Sequence, residues 1–184
     1  MMNPPEFCFP PRPKTVLPQN TTSVVITDAS VIINLCHTGH ILLLGRITKF
    51  EFVVTDEVIA EVTEPDQQRS LSEALIACAL RRESISSPEE LTTFAELTQI
   101  LGTGEAACLA VAEHRKWLVA CDEKRVFLRE ARKRLGADRI LNTAGLYVHW
   151  IRAGVLSVGE ADAAKGILES HRFKLAFDSF GDVI

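Results

Sequence analysis

Three acidic residues stand where strand-like or apolar segments begin or end. Asp28 follows the strand-like residues 24–27, Asp122 directly follows the apolar residues 117–121, and Glu105 opens the apolar segment 106–112. Carboxylates that share one crevice repel each other, by roughly 3 kcal/mol for two charges about 5 Å apart at an effective dielectric near 20. Hard cations such as Mg²⁺ take oxygen ligands and remove this repulsion. If the three acids meet, the pattern therefore predicts a divalent-metal site.

The elements that would bring these acids together are those of a parallel sheet. Segments with strand character at 24–27, 50–54, 117–121 and 139–142 alternate with segments of helical spacing, which indicates an α/β domain with a mainly parallel sheet. The carboxyl ends of parallel strands lie at one edge of the sheet, and ligands bind in the crevice beyond that edge. We therefore expect the acids that follow these strands to converge there.

Proline and helix-start signals predict the boundaries of several helices. Pro65 is expected to end the helix that begins at Thr55 and Asp56, because proline cannot continue a helix. The spacing of apolar residues predicts an amphipathic helix over 71–82, and Ser87 followed by proline predicts the start of another. The segment 173–177 is expected to form a last strand or a docking tail.

Composition excludes several classes of protein. The chain has 184 residues, 47% of them hydrophobic and 24% charged, which is typical of one soluble globular domain. The net charge of −4 argues against general electrostatic capture of nucleic acid but allows a local basic stripe. No apolar run approaches the roughly 20 residues that span a bilayer. The five cysteines are scattered without a C-x-x-C pair, as expected of buried thiols in a cytoplasmic protein.

The first 22 residues differ in composition from the rest. Six of the eight prolines lie there, and proline fixes φ and lacks a donor. Residues 1–22 are therefore predicted to be an extended or disordered leader, either a passive tail or a segment that binds a partner, and residues 23–184 to be the folded domain.

Five short segments, taken in order, resemble the PIN-domain ribonucleases, including the VapC-like toxins of toxin–antitoxin pairs. They are VITDAS at 25–30, DEVIAEV at 56–62, LGTGEA at 101–106, ACDEK at 120–124 and NTAGL at 142–146. The resemblance implies a three-layer α/β/α sandwich with a mainly parallel central sheet, and cleavage of RNA that depends on Mg²⁺ or Mn²⁺. It also allows an antitoxin-type protein partner and a homo-oligomer.

The same resemblance assigns roles to individual residues. It implies that Asp28, Glu105 and Asp122 bind the metal, that Glu61 is a fourth acid, and that Thr143 lines the site. Many toxins of the family have another Asp shortly after the position of Asp122. Here Glu123 is followed by basic residues, so one or two metals are both possible. The alternative for Glu61 is a solvated helix face shared with Glu57, one turn earlier.

A basic stripe follows the last of the acids. Arg125, Arg129 and Arg132 have the spacing i, i+4 and i+7, which puts them on one side of a helix that begins beside the predicted site. Such stripes bind phosphate backbones, so we expect these residues to contact RNA. The alternative is an ordinary solvated surface.

Other interpretations compete with a metal site. Asp28 and Asp122 could each simply cap a following helix. Gly102-x-Gly104-x-x-Ala107, with Asp122 twenty residues after Gly102, fits a dinucleotide-binding fingerprint, but residues 88–101 have helical rather than strand character. A third alternative is a catalytically silent PIN-like module that binds RNA or protein. The sequence Cys36-His37-x-x-His40 suggests zinc, yet no second ligand cluster accompanies it.

Overall fold

The structure is a computed structural model that describes residues 22–122 and 125–184, so the predicted leader lies outside the described residues except for Thr22. Its centre is a five-stranded sheet in which every pairing is parallel, in the order β3-β2-β1-β4-β5. The strands are β1 (Ser23–Thr27), β2 (Phe50–Thr55), β3 (Arg81–Glu83), β4 (Leu118–Ala120) and β5 (Ile140–Leu141).

Helices cover both faces of the sheet, so the predicted three-layer α/β/α fold is confirmed. Helix α5 packs against α2, α4 and α6, whereas α1 packs against α3, α7 and α8. The α-helices are α1 (Ala29–His37), α2 (Asp56–Glu61), α3 (Pro65–Ile76), α4 (Pro88–Leu97), α5 (Thr103–Arg115), α6 (Val126–Leu135), α7 (Thr143–Arg152) and α8 (Val158–Ser170). Short 3₁₀ turns lie at Ile41–Arg46, Ala137–Arg139 and Phe180–Asp182.

Helix α5 is the central helix of the core. Residues 106–112 are all buried, and the helix packs on β1, β2 and β4. Most of these side chains are small, which lets the helix lie close to the apolar strand residues Val25, Ile26 and Val119. The first turn of α5 thereby has a fixed position relative to the edge of the sheet.

The strand order reverses between β1 and β4. The chain runs outward from β1 through β2 to β3, then returns to place β4 on the other side of β1. In the register of this pair Thr27 lies opposite Ala120, and the backbone N–H of Asp28 donates to the carbonyl of Ala120 at 2.9 Å. Asp28 and Asp122 therefore follow the two strands that form the topological switch point, where open α/β sheets bind ligands.

Two predicted boundaries are wrong. Pro65 begins α3 instead of ending the preceding helix, which stops at Glu61, because the first helical position needs no amide donor and suits proline. The helix predicted over 71–82 ends at Ile76, where the chain turns through Cys78 with a φ of 55°. Residues Arg81–Glu83 then form the edge strand β3, which pairs with β2. All three residues are polar, so no apolar pattern in the sequence indicates a strand there.

Candidate active site

Asp28 uses one carboxylate oxygen to start a helix and leaves the other without a partner. Its Oδ2 accepts hydrogen bonds from the backbone N–H of Ser30 at 3.2 Å, from the Ser30 hydroxyl at 2.7 Å and from the thiol of Cys121 at 3.5 Å. The residue is 2% exposed, and its Oδ1 is buried without a hydrogen bond in the described part of the chain. Helix capping therefore accounts for Oδ2 of Asp28 but does not account for the buried Oδ1.

Asp122 does not cap the helix that follows it, since the N-cap residue of α6 is Arg125. Its Oδ1 instead accepts the backbone N–H of Thr143 at 2.9 Å, in the first turn of α7. Its Oδ2 accepts from the Thr143 hydroxyl and from the side-chain amide of Asn34 at 2.8 Å. Donors on α1 and α7 thus fix the orientation of this carboxylate from two sides.

The electrostatic environment of Asp122 reflects its neighbour across the switch point. Burial raises the pKa of the Asp122 carboxyl, and the negative charge of Asp28 raises it further. Hydrogen bonds from Thr143 and Asn34 act in the opposite direction because they favour the charged form. The two aspartates are therefore close enough for each charge to oppose the other.

Ser30 connects the two aspartates directly. Its hydroxyl donates to Asp28 Oδ2 and accepts the backbone N–H of Asp122 at 3.1 Å. Asn34 lies one turn later on α1, so both side chains project toward the switch point. Neither Ser30 nor Asn34 is among the site residues predicted from the sequence, and their i, i+4 spacing after Asp28 is the signal that could have identified them.

Glu61, at the end of α2, reaches the first turn of α5. Its Oε1 accepts the backbone N–H of Gly104 at 2.7 Å. A Cβ atom at position 104 would lie 2.6 Å from Glu61 Oε2, so a side chain there would collide with the carboxylate. Glycine at 104 thus lets Glu61 approach a helix N-terminus, where negative charge is favoured.

The charges of Asp28 and Glu61 both act on the buried thiol of Cys108. Burial raises the pKa of Cys108 well above its usual range, and the negative charge of Asp28 is the next contribution. Glu61 and Glu57 act in the same direction, so all three carboxylates lie near this thiol. Glu57 Oε2 is also buried, without a hydrogen bond among residues 22–122 and 125–184. Sequence analysis treated Glu57 only as part of a solvated face and missed this burial.

Glu105 is held at the start of its own helix. Its Oε2 accepts the backbone N–H of Gly102 at 3.0 Å, as in a capping box. The residue also lines a cavity of about 410 Å³ together with Arg125. In the described ranges no three His, Cys, Asp or Glu side chains are grouped closely enough to hold a metal ion. A ligand role for Glu105 therefore stays a prediction.

The three arginines of the predicted stripe have different surroundings. All are exposed on or beside α6. Arg132 lines a cavity of about 540 Å³ that begins at Asp122, whereas Arg129 forms an ion pair with Glu130 at 3.2 Å. Of the three, Arg132 has the surroundings that a phosphate-binding residue beside the aspartates needs.

The structure supports neither the zinc motif at residues 36–40 nor the dinucleotide-binding fingerprint at residues 102–107. His37 stacks on His171 with ring centroids 3.7 Å apart, and His40 Nδ1 lies 2.8 Å from the hydroxyl of Tyr147, so the zinc motif does not converge. The segment before Gly102 contains α4 and no strand, so the dinucleotide fingerprint lacks its preceding strand.

The fold and the site together define an α/β/α domain with an acidic crevice at the switch point of its sheet. A family model described as a PIN domain matches residues 24–170, and the chain belongs to this family. PIN domains are generally nucleases and typically use divalent metals, so the family indicates a nuclease-type function. No curated protein and no solved structure matches the chain significantly. None of the helices in the described ranges is long and apolar enough to cross a membrane.

Proposed function

We propose that this protein is a divalent-metal-dependent endoribonuclease that hydrolyses RNA phosphodiester bonds beside Asp28 and Asp122. The observation that carries the proposal is the buried Oδ1 of Asp28, which has no hydrogen-bond donor in the described chain. A buried carboxylate oxygen without a partner is costly, and a second carboxylate nearby adds repulsion. A hard cation that takes oxygen ligands would relieve both costs.

The residues at the switch point fit such a cation. Asp28 would bind it through Oδ1, and Asp122 would be the second ligand. Glu61, whose Oε1 accepts from Gly104, stays a prediction as a further acid of the site, since no three carboxylates of the described residues form a metal cluster. A divalent cation such as Mg²⁺ or Mn²⁺ held there would supply stabilisation of charge on the phosphate oxygens and an activated water. Thr143 donates both its hydroxyl and its backbone N–H to Asp122, so its role is to orient that carboxylate.

Two cationic side chains near the crevice support RNA as the substrate. Arg132 and Lys174 line the cavity that begins at Asp122, while the chain as a whole carries a net charge of −4. Local positive charge beside a carboxylate site favours a polyanion bound across it. The toxin role and an antitoxin-type partner stay predictions that rest on the resemblance of the sequence to VapC-like toxins.

Cleavage of mixed RNAs by the purified protein tests the proposal, with Mg²⁺, Mn²⁺ or EDTA in parallel. We expect cleavage only with metal, and a loss of at least about 100-fold in Asp28→Asn and Asp122→Asn, because each removes a ligand. Glu61→Gln and Glu105→Gln test the two remaining acids. Glu73→Gln, an exposed acid on α3, is the matched control and should cleave at the wild-type rate.

Three results would contradict the nuclease proposal. Undiminished cleavage in EDTA would exclude the metal mechanism, and a wild-type rate in Asp28→Asn would remove that carboxylate from the site. RNA binding without cleavage under any metal condition would favour a catalytically silent module.

A further inference from the structure

A cavity of about 540 Å³ extends from Asp122 along the side of the molecule. Its walls include the apolar side chains of Leu128 and Ile140, and the segment 173–177 closes one side. Phe173 and Phe177 therefore line the same cavity as Asp122 of the proposed active site. The volume lies within the range of roughly 300–1,000 Å³ that is typical of cavities for one small molecule.

The aromatic wall is anchored to the domain. The backbone N–H of Phe173 donates to the carbonyl of Leu168 at 3.0 Å, which continues the end of α8. The ring of Phe177 packs edge-on against that of Phe180 at 4.9 Å, and Phe180 is fully buried. The segment 173–177 lies beyond residue 170, where the match to the family model ends.

Positive charge accompanies the aromatic wall. Arg132 and Lys174 line the same cavity, and both are exposed. Phe173 also borders a second cavity of about 360 Å³, on the side of Asp122 where Ser30 lies. One ring thus adjoins the spaces on both sides of the carboxylate that the proposed reaction would use.

We propose that this cavity is a subsite for one unpaired nucleobase of the RNA, next to the phosphate that is cleaved. The base would stack on Phe173 against the apolar wall, and Arg132 and Lys174 would contact the adjoining phosphates. Bases in a duplex are stacked on their neighbours and cannot present a face to a protein ring, so this subsite would take a base only from an unpaired part of the RNA. The inference rests on the proposed function, since it concerns the same site.

A protein segment is the competing occupant, because an apolar wall could also bind a partner's side chain. The two cations and the continuity with Asp122 favour a nucleotide, which has a flat apolar face and a linked negative charge. An apolar protein side chain on this wall would bring no phosphate to pair with Arg132 and Lys174.

Binding of short RNAs, measured by fluorescence anisotropy in EDTA and again in Ca²⁺, tests the subsite without cleavage. The probe is a labelled 12-nucleotide RNA that cannot pair with itself, compared with its duplex and with a series in which each nucleotide in turn is abasic. We expect the single strand to bind more tightly than the duplex. One or two abasic positions should weaken binding roughly 5- to 100-fold, as loss of one stacked base does.

Variants then connect the abasic effect to the ring. Phe173→Leu keeps apolar bulk without the π face, so it should weaken binding of the intact RNA. RNA that is abasic at the critical position has already lost the stacked base, so the variant and the wild type should bind it with nearly equal affinity. Phe94→Ala, on the half-buried ring of α4, is the control and should leave RNA affinity unchanged. Melting curves of each variant verify that the fold is intact.

The outcomes separate this inference from the nuclease proposal. Cleavage with no abasic position standing out, or duplex bound as tightly as single strand, overturns the subsite and leaves the nuclease intact. Base-dependent binding without metal-dependent cleavage supports the subsite and refutes the nuclease. RNA affinity that is unchanged in Phe173→Leu, or no RNA binding at all, also overturns the subsite.

Discussion

Replacing Asp28 with asparagine removes one charge from the crevice and preserves the start of α1. All the hydrogen bonds that Asp28 accepts go to Oδ2, and an asparagine oxygen can take its place, since Asn and Asp are equally good N-caps. The amide nitrogen would replace Oδ1, which has no partner in the described residues. Asp122→Asn is less selective, because both oxygens of Asp122 accept from donors on Thr143 and the amide nitrogen would face one of them.

The expected magnitude follows from the charge pair. Two carboxylates about 6 Å apart repel by roughly 3 kcal/mol at an effective dielectric near 20. A newly buried amide group without acceptors costs about 1–3 kcal/mol, which offsets most of that gain. Asp28→Asn should therefore stabilise the metal-free protein by on the order of 1 kcal/mol, or about 2–4 °C in Tm for a domain of this size.

Metal should reverse the order of the two proteins. A cation at 100 times its Kd stabilises the wild type by about 2.7 kcal/mol, whereas a variant without the Asp28 ligand gains much less. Thermal unfolding of wild type and variant is followed by circular dichroism in EDTA and over a series of Mg²⁺ and Mn²⁺ concentrations. Glu73→Gln, which removes an exposed acid far from the switch point in sequence, should melt in parallel with the wild type throughout.

Melting temperatures that keep the same order with and without metal would contradict a cation bound by Asp28. A variant that melts no higher than the wild type in EDTA, together with a wild type that metal does not stabilise, would make Asp28 a helix cap and nothing more. A variant that metal stabilises as much as the wild type would place the cation elsewhere.

Three other tests, with four substitutions, examine separate parts of the structure. Glu57→Gln removes a buried oxygen without a partner near Cys108, so we expect a several-fold weaker apparent Mg²⁺ affinity in thermal shift, and unchanged affinity would exclude Glu57 from the metal site. The hydrogen bond from Arg115 lowers the pKa of the buried Glu90 carboxyl from 4.5 to about 2. The ionised carboxylate therefore stabilises the folded protein by roughly 3 kcal/mol. This contribution is complete above pH 4.5 and is lost as the pH falls toward 2. Urea unfolding between pH 6 and 3 should show this loss in the wild type and much less of it in Arg115→Met; equal slopes would contradict it. Arg132→Ala should lower the slope of log affinity for RNA against log salt concentration by roughly one. Arg129→Ala removes a side chain that is paired with Glu130, so it should lower this slope by less. Equal changes in the two variants would mean that the cavity beside Asp122 has no special role in RNA binding.

The positions of Asp28 and Asp122 could be predicted because they depend on topology alone. Two apolar strands, each followed at once by an acid, suffice once the sheet is parallel, and the structure confirms the parallel sheet. The edge strand β3 could not be predicted, since its three residues are polar and its neighbour β2 lies on one side only. Hydrophobic periodicity arises from burial, and an edge strand is too little buried to show a clear apolar pattern.

The residues that orient the acids were beyond prediction for a different reason. Ser30 and Asn34 are short polar side chains on a helix, and such residues often hydrogen-bond to the local backbone. Only the tertiary structure shows that both bridge from α1 to Asp122. The burial of Glu57 likewise depends on how α2 packs against α5, which no local pattern specifies.

Gly104 shows how one position decides between two kinds of site. In a dinucleotide-binding protein the glycines at such a turn let a pyrophosphate approach the helix N-terminus. Here the same backbone N–H binds Glu61 at 2.7 Å, and the space that a Cβ would need is filled by that carboxylate. The protein's own acid therefore occupies the place of the phosphate. A substrate phosphate that came to this helix N-terminus would meet the negative charge of Glu61, so the turn does not suit a bare phosphate.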